Sequence, residues 1–367
     1  MSNRRNFLKK SIVAGSGLAA ANFSGLSTLT ASELKSTTAN TTAIKHWVWI
    51  NPKHGESEKD LKQRYSHYYS AGIRGIFFEG DSEVHFRTAK VCKLEAHRWI
   101  WTMNRGEKSL REANPEIFAI NRKGESCADK PPYVDYYRWL CPSKPETLAH
   151  LKKDVEHNLN KDYVDGIHLD YVRFCDIILP VNLWKNYKIV QTSELPEYDY
   201  CYCSDCKRKF KEQYGQDVDQ LEYPEASLSW RLFRYNAITG IVNQLAAVAA
   251  SKRKSITAAV FPTPEVAKRN VRQDWVNWNL TGVCPMIYHG FYKEPVSWIG
   301  DAVNEGVKAL NGRFPLYAGV FLPDFKNKEE LEAGIKLALD RGARGISLFG
   351  DVTEEVLESL EKFKKHT

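Results

Sequence analysis

Alternating β-rich and helical segments are the feature that most constrains the fold of this 367-residue chain. From residue 45 onward, runs rich in β-branched and aromatic residues are each followed by a segment that can form a helix. Eight such units favour an α/β fold, a (β/α)8 TIM barrel. A doubly wound open sheet is the alternative, but no glycine-rich nucleotide loop follows the first strand. The predicted strands are 46–52, 74–81, 98–105, 165–174, 255–264, 282–290, 315–323 and 344–351.

An internal repeat supports the barrel. The stretches GIRGIFFEGD (72–81) and GARGISLFGD (342–351) share the frame G-x-R-G-I-x-x-x-G-D. Each copy has a helix-ending glycine, then Arg-Gly, then a strand. The stretch DGIHLD fits the same frame at Gly166 and Ile167.

The last two helices have clear start signals. Asn327 with Glu330 three residues later resembles a capping box, and Gly342 ends that helix. Thr353 is the expected cap of the final helix. The apolar face of that helix is formed by Val356, Leu357, Leu360 and Phe363.

Two of the predicted strand-to-helix connections are long. Residues 105–142, after strand three, are rich in Pro, Gly, Tyr and charge, and residues 175–226, after strand four, hold a cysteine cluster. Both follow the C-terminal ends of strands, where barrels build their active sites. Cys127 and Cys141 share the first loop and are candidates for a disulfide.

The N-terminus has the pattern of a twin-arginine export signal. Arg4 and Arg5 precede Phe-Leu-Lys and an apolar stretch rich in Ala and Gly, which is too short and too interrupted for a stable membrane span. A disordered basic tail is the alternative. We expect a signal at residues 1–31, a polar linker at 32–44 and a single catalytic barrel at 45–367, in a protein that is periplasmic or otherwise exported.

The charge distribution does not favour a nucleic-acid partner. The formal net charge is +7, but Arg4, Arg5, Lys9 and Lys10 supply four of these charges, which leaves +3 for the rest. No dense basic run occurs elsewhere, so we expect no nucleic acid as a partner.

Strand four, in the stretch VDGIHLDYVRF, carries unusual polar residues. Because side chains alternate along a strand, Ile167 and Leu169 packing outward would point His168 and Asp170 into the barrel. Asp170 then lies near the upper mouth. The repeat frame places Glu79 of strand two in register with it, in one interior layer. The other two members of that layer are Met286 and Phe349.

Two carboxyl groups at one apolar-walled mouth can divide into an acid and a base, which is the minimum equipment for glycoside hydrolysis. Other interpretations are open for each group. Asp170 could form a satisfied buried network with His168 or Arg173, and Glu79 could bond an adjacent loop. Two further acids could serve in strand five's unit. Glu265 could instead favour a helix N-terminus, and Asp274 could be a helix surface charge.

Aromatic residues are concentrated in segments near the predicted mouth. Trp49, Trp139 and Tyr288, with His289, are candidates for sugar binding, because apolar sugar faces stack on aromatic rings. For each one alone, core packing is the competing interpretation.

The stretch CYCSDC places Cys201, Cys203 and Cys206 as C-x-C-x-x-C, which is typical of three ligands of a structural zinc site. The expected fourth ligand is Cys175 or a carboxylate. Disulfides are the alternative, because an exported protein meets an oxidising compartment. We expect no cofactor to be required for catalysis.

Several motifs together resemble a known family. AINRKGES, PPYVDYYRWLCPS, DGIHLDYVRF, CYCSDC, AAVFPTP, VRQDW and PMIYHGFY look like exported bacterial glycoside hydrolases of the "family 10-like glycosylhydrolase" type, whose specificity is undefined. The resemblance covers nearly the whole chain after the signal and implies a (β/α)8 barrel and a carbohydrate substrate.

Strand four is also similar to the D-G-F-R-L-D frame of the α-amylase clan, in which the last Asp is the nucleophile and the Arg two residues before supports it. That similarity implies the nucleophile position for Asp170. His168 stands where the frame has Arg.

The sequence therefore predicts an exported glycoside hydrolase that cleaves O-glycosidic bonds of a poly- or oligosaccharide. Asp170 would act as nucleophile or base, and Glu79, Asp274 or Glu265 as proton donor. The residues expected to hold Asp170 ionised and to contact sugar hydroxyls are His168 and Arg173.

Two other functions remain as alternatives. One is a non-catalytic carbohydrate-binding barrel that lacks a second carboxylate. The other is a metal-dependent hydrolase with His168, Asp170 and His289 as ligands.

Overall fold

A computed structural model describes residues 44–364. They form a parallel sheet of eight strands in the order β6-β5-β4-β3-β2-β1-β8-β7. Bridges from Val283 to Leu316 and from Met286 to Gly319 join β6 to the β7 side and close the barrel. The predicted (β/α)8 fold is thus confirmed. The strands are β1 (His46–Ile50), β2 (Ile73–Phe78), β3 (Glu95–Trp101), β4 (Gly166–Asp170), β5 (Ser255–Val260), β6 (Gly282–Pro285), β7 (Ala318–Phe321) and β8 (Ile346–Phe349).

Helices follow the strands along the chain. None of those in residues 44–364 is both long and apolar enough to cross a membrane. The predicted export signal and all but the last residue of the predicted linker lie outside the described residues. The helices are α1 (Glu58–Ala71), α2 (Glu83–Val91), α3 (Lys108–Ala113), α4 (Pro145–Leu159), α5 (Trp184–Tyr187), α6 (Ser204–Tyr214), α7 (Leu228–Ser251), α8 (Pro264–Val271), α9 (His289–Tyr292), α10 (Ser297–Leu310), α11 (Lys328–Asp340) and α12 (Glu354–Glu361).

The predicted start signals of α11 and α12 are present. The Asn327 side chain accepts a hydrogen bond from the Glu330 N–H at 2.9 Å, and the Thr353 hydroxyl accepts one from the Val356 N–H at 3.4 Å. Both bonds satisfy backbone donors that a helix leaves without partners in its first turn.

The structure explains why the repeated frame has glycine at its first and second glycine positions. Gly72 and Gly342 have φ of 102° and 98°, the left-handed conformation that ends a helix and favours glycine. The second glycine of each copy lies against β1. A Cβ atom on Gly75 would lie 2.2 Å from the Trp47 ring, and one on Gly345 would lie 2.0 Å from the Lys45 carbonyl oxygen. The frame therefore marks two sites where a side chain would not fit, one in β2 against the Trp47 ring and one just before β8 against the backbone that precedes β1.

β4 ends earlier than predicted. The prediction ran to residue 174, but the strand ends at Asp170, and Tyr171 has φ of 47°, which is incompatible with extended backbone. Arg173 therefore lies on the following loop. Of Asp170 and Arg173, only Asp170 therefore belongs to the strand.

Alternation of side chains separates two cores. Outward residues such as Ile167 and Leu169 join the main core between the sheet and its helices. Inward residues form a second cluster, which fills the barrel below its mouth. That cluster consists of Trp47, Trp49, Phe77, Trp99, Ala259, Cys284 and Tyr317.

The two long connections lie side by side at the C-terminal end of the barrel. Backbone bridges join Asn121 of the connection after β3 to Tyr200 of the connection after β4. Within the first connection, Phe118 bridges to Leu140. Both connections contribute residues to the wall of the barrel mouth, Tyr137 from the first and Asp176, Leu179, Pro180, Leu183 and Tyr187 from the second.

Candidate active site

A cavity of about 450 Å³ opens at the C-terminal ends of the strands. The structure brings Glu79 and Asp170 together on it, and Met286 and Phe349 line it as well. All four members of the predicted layer thus face one space. Its other lining residues are Trp49, Asn51, Trp99, Trp101, Tyr137, Tyr171, Arg173, Asp176, Leu179, Pro180, Leu183, Tyr187, Ala259, Phe261, Tyr288, Phe291 and Tyr292.

Asp170 ends β4 at the floor of the cavity, and both of its carboxyl oxygens accept hydrogen bonds. The Trp99 indole N–H donates to Oδ2 at 3.0 Å, and the Tyr171 backbone N–H donates to Oδ1 at 2.7 Å. Burial raises the pKa of Asp170 above its ordinary value, while these two hydrogen bonds and the nearby Arg173 charge oppose the rise. The Glu79 charge adds to the rise in the Asp170 pKa, so the two carboxyl groups interact electrostatically.

Glu79 follows the last residue of β2. Its backbone N–H donates to the Ile50 carbonyl at 3.0 Å, which continues the β1–β2 ladder by one residue. The Arg98 guanidinium donates to the Phe78 and Glu79 carbonyl oxygens and holds this corner of the backbone. Among residues 44–364 the Glu79 carboxyl group makes no hydrogen bond, although its charge interacts with the nearby Arg98 guanidinium.

Arg173 lines the cavity from the loop after β4 as one half of a buried ion pair. Its Nη1 lies 2.9 Å from Asp176 Oδ2. The guanidinium stacks over three aromatic rings, at 4.7 Å from the Trp139 centroid, 5.1 Å from Phe261 and 5.3 Å from Tyr171. The pair therefore presents a fixed cation and a fixed acceptor to the cavity.

Two residues expected to bind sugar lie beneath the cavity instead. Trp139 is buried and supports Arg173 from below. His168 stacks on Phe77 with ring centroids 3.7 Å apart, and its Nδ1 lies 2.9 Å from Thr257 Oγ1. Burial lowers the pKa of His168 well below its ordinary range. A neutral His168 cannot hold Asp170 ionised, so this part of the expectation was wrong, whereas the Arg173 charge does favour the ionised form of Asp170.

Three further candidates lie outside the cavity. Glu265 is exposed in the first turn of α8, and Asp274 pairs with Lys268 at 2.9 Å. His289 is buried against Phe325, with ring centroids 5.0 Å apart. Glu265 and His289 lie in the first turns of α8 and α9, which begin a few residues after β5 and β6, whereas Asp274 lies after the end of α8.

The predicted metal triad is therefore not assembled. Asp170 faces the cavity, while His168 lies below it and His289 beside it. In residues 44–364, the group of side chains that could hold an ion consists only of cysteines.

Sequence reasoning placed Trp49 and Tyr288 on the cavity correctly but missed other aromatics. Trp99 and Trp101 are two residues apart on β3, so they lie on the same face, and they pair with His168 and Asp170 of β4. The alternation of side chains that placed Asp170 in the barrel would therefore have placed both tryptophans there as well. Asp176 had no such signal, because it lies on an irregular loop.

The cysteine cluster has a fourth member that the spacing did not reveal. The Sγ atoms of Cys141, Cys201, Cys203 and Cys206 all lie within 4.8 Å of one another, and all four residues are buried. Neither Cys175 nor a carboxylate completes the set, contrary to expectation. The loop between β3 and α4 supplies Cys141 across the interface with the next loop.

Cys127 does not pair with Cys141. Its Sγ instead contacts the backbone of Trp139, 3.1 Å from the carbonyl oxygen and 3.2 Å from the nitrogen. None of the eight cysteines forms a disulfide.

Comparisons with known proteins are consistent with the fold. No protein-family model and no curated protein matches the sequence. Among solved structures, a β-galactosidase from the psychrophilic Marinomonas ef1 has a TM-score of 0.60 at 10% identity, covering 88% of this chain and 59% of that one. The catalytic domain of a β-amylase from Paenibacillus polymyxa has a TM-score of 0.57 at 11% identity, covering 88% and 97%.

An α-galactosidase from Thermus thermophilus has a TM-score of 0.52 at 10% identity, covering 89% of this chain and 62% of that one. The chain thus spans only about three fifths of the length of the two galactosidases. At these identities the likeness concerns the fold. The chain has the TIM-barrel fold that these glycoside hydrolases have.

Proposed function

We propose that this chain is an exported glycoside hydrolase that cleaves O-glycosidic bonds of a poly- or oligosaccharide with two carboxyl groups, Asp170 and Glu79. The observation that carries the proposal is their position, at the ends of β4 and β2, on one cavity with aromatic walls. Glycoside hydrolysis needs such a pair, one group to protonate the leaving oxygen and one to act as base or nucleophile. The motif resemblance and the fold neighbours point to the same chemistry.

Asp170 takes the anionic role in this proposal. Both of its oxygens accept hydrogen bonds from groups that can only donate, the Trp99 indole and a backbone N–H. These bonds favour and orient a carboxylate. Glu79, whose carboxyl group is free of such donors, supplies the proton. Burial opposes ionisation of Asp170, and these two hydrogen bonds and the nearby Arg173 charge counter it.

The cavity walls suit a sugar. Trp49, Trp101, Tyr288 and Phe349 present ring faces and edges on which apolar sugar faces can stack. The Arg173–Asp176 pair offers a donor and an acceptor for hydroxyl groups. Apolar walls also exclude water, which strengthens every polar interaction within the cavity.

The test compares Asp170→Asn and Glu79→Gln on a polysaccharide panel and on dinitrophenyl glycosides, whose leaving group needs no proton. Asp170→Asn should lose activity on both. Glu79→Gln should lose about 100- to 10,000-fold on polysaccharide, the usual contribution of general acid catalysis, and keep activity on the aryl glycosides. Asp274→Asn, outside the cavity, is the matched control and should retain wild-type rates.

The opposite pattern between the two variants would exchange the roles of Asp170 and Glu79. Full activity of Asp170→Asn on a substrate that the wild type cleaves would refute the assignment. A wild-type protein that binds glycans in this cavity but releases no sugar from any of them would instead be a carbohydrate-binding barrel.

A further inference from the structure

The four-cysteine cluster has the spacing of a metal tetrathiolate. Cys141 Sγ lies 3.5 Å from both Cys203 Sγ and Cys206 Sγ. Four thiolates around Zn²⁺ at 2.3 Å occupy a tetrahedron with edges of about 3.8 Å. A disulfide would need a sulfur separation of about 2.05 Å. The cluster therefore matches coordination in which all four sulfurs share one centre.

The surroundings of the cluster favour thiolates. Cys203 is the N-cap of α6 and Cys206 lies in its first turn, where the helix dipole stabilises negative charge. The Ile120 N–H donates to Cys201 Sγ at 3.3 Å, and the Ser143 hydroxyl oxygen lies 3.2 Å from Cys206 Sγ. Such outer contacts orient the ligands of a metal.

We propose that Cys141, Cys201, Cys203 and Cys206 bind one structural Zn²⁺, which fastens the loop after β3 to the loop after β4. A set of four protein ligands leaves no open position, which is the property of structural rather than catalytic zinc. The inference does not depend on the proposed glycosidase activity.

Both of the fastened loops contribute residues to the cavity wall, among them Tyr137 from the first and Asp176 from the second. Trp139 lies two residues before Cys141, and its ring carries the Arg173 guanidinium that lines the cavity. Next to the cluster, the Cys141 N–H bonds to the Ile117 carbonyl and the Tyr202 N–H to the Ile120 carbonyl, each at 2.8 Å. Metal loss should therefore open these backbone bonds and release the platform under Arg173, while the barrel strands keep theirs.

The experiment measures metal content and thiols on the purified full chain. Elemental analysis should find about one zinc per chain, as for other tetrathiolate sites. Denaturation with a chelator should then expose all eight cysteines to a thiol reagent. Cys141→Ser should lower the zinc content at least fivefold after dialysis, while Cys175→Ser, a buried cysteine outside the cluster, should retain it.

A second measurement uses the wild type alone, so it tests the proposal even if the cysteine variants fold poorly. Hydrogen exchange of the wild type before and after chelation should show faster exchange, by tenfold or more, at Cys141 and Tyr202, with β1 and β2 unchanged. A protein without metal that has only four reactive thiols would contain disulfides and overturn the proposal. Iron in place of zinc would overturn the choice of metal, and zinc retained by Cys141→Ser would overturn the ligand set.

Discussion

Trp99 on β3 donates its indole N–H to the carboxyl group of Asp170 on β4 across 3.0 Å, at the floor of the cavity. The two residues belong to adjacent paired strands. Asp170 lies opposite Trp101, and Trp99 lies two residues before Trp101, on the same face of β3. The contact is therefore built into the strand register rather than into a mobile loop.

Trp99→Phe removes this donor and keeps most of the ring. We expect kcat to fall roughly 10- to 100-fold, because a hydrogen bond to a charged group contributes about 1.5–3 kcal/mol. Steady-state kinetics on the best substrate of the wild type checks this. Trp47→Phe, deeper in the barrel and off the cavity, is the control. Equal rates for Trp99→Phe and wild type would mean that the bond has no role in catalysis.

The acidic limb of the pH profile should report Asp170. Because burial raises its pKa, the carboxyl group takes up a proton at a higher pH than an exposed aspartate, near 3.9, would. The proposed role requires the ionised form, so kcat/KM should be full above that pKa and fall as pH decreases through it. Trp99→Phe should move this limb to still higher pH. A limb at the ordinary aspartate pKa would contradict the prediction.

Breaking the Arg173–Asp176 pair should destabilise the fold as well as binding. Arg173→Met leaves Asp176 buried without its partner, and we expect a loss of about 3–5 kcal/mol in the free energy of unfolding. Urea denaturation measures it. The double variant Arg173→Met with Asp176→Leu should recover a large part of that loss, because it leaves no unpaired charge. No recovery would show that the pair contributes through packing alone.

Gly345→Ala should be strongly destabilising, by about 3 kcal/mol or more, because its Cβ would lie 2.0 Å from the Lys45 carbonyl oxygen at φ of 152°. Gly240→Ala is the matched control. That glycine lies in α7 with open space around it, so alanine should stabilise the helix by about 0.5–1 kcal/mol. Thermal or urea unfolding distinguishes the two, and similar stabilities would refute the close-approach argument.

Residues 1–31 should direct export. Changing both Arg4 and Arg5 to Lys preserves the charge but removes the guanidinium pair that the twin-arginine pattern requires. We expect the precursor to accumulate in the cytoplasm, measured by cell fractionation and immunoblotting. Lys9→Arg with Lys10→Arg is the control and should be exported normally. Normal export of the Arg4/Arg5 variant would contradict a twin-arginine route.

Periodicity in the sequence was sufficient to predict the barrel and the shared position of Glu79 and Asp170. Both follow from alternation along strands and from glycines that let β1 approach its neighbours. Periodicity could not predict whether His168 lines the cavity. Alternation shows that a side chain points into the barrel, but not how far below the cavity it lies. His168 points inward as expected, yet it lies one layer below the cavity.

Contacts between the two long loops could not be predicted from periodicity in the sequence. Cys141 joins the other three cysteines only because two long loops pack together, and no spacing along the chain encodes that approach. Trp139 lies under Arg173 for the same reason. Glu265 lies outside the cavity because α8 begins only a few residues after β5, and Asp274 because it follows α8 and pairs with Lys268.

The closure of the barrel has a mechanical consequence. β3 and β4 pair over five residues, whereas the β6–β7 closure has three backbone hydrogen bonds, from Val283 to Pro315, from Tyr317 to Val283 and from Ile287 to Gly319. Tyr288 and Phe291 line the cavity directly after this closure. We therefore expect the side of the cavity that bears Asp170 to deform less readily than the side that carries Tyr288 and Phe291. A bulky polymer would be accommodated by the more deformable side while the carboxyl groups keep their places.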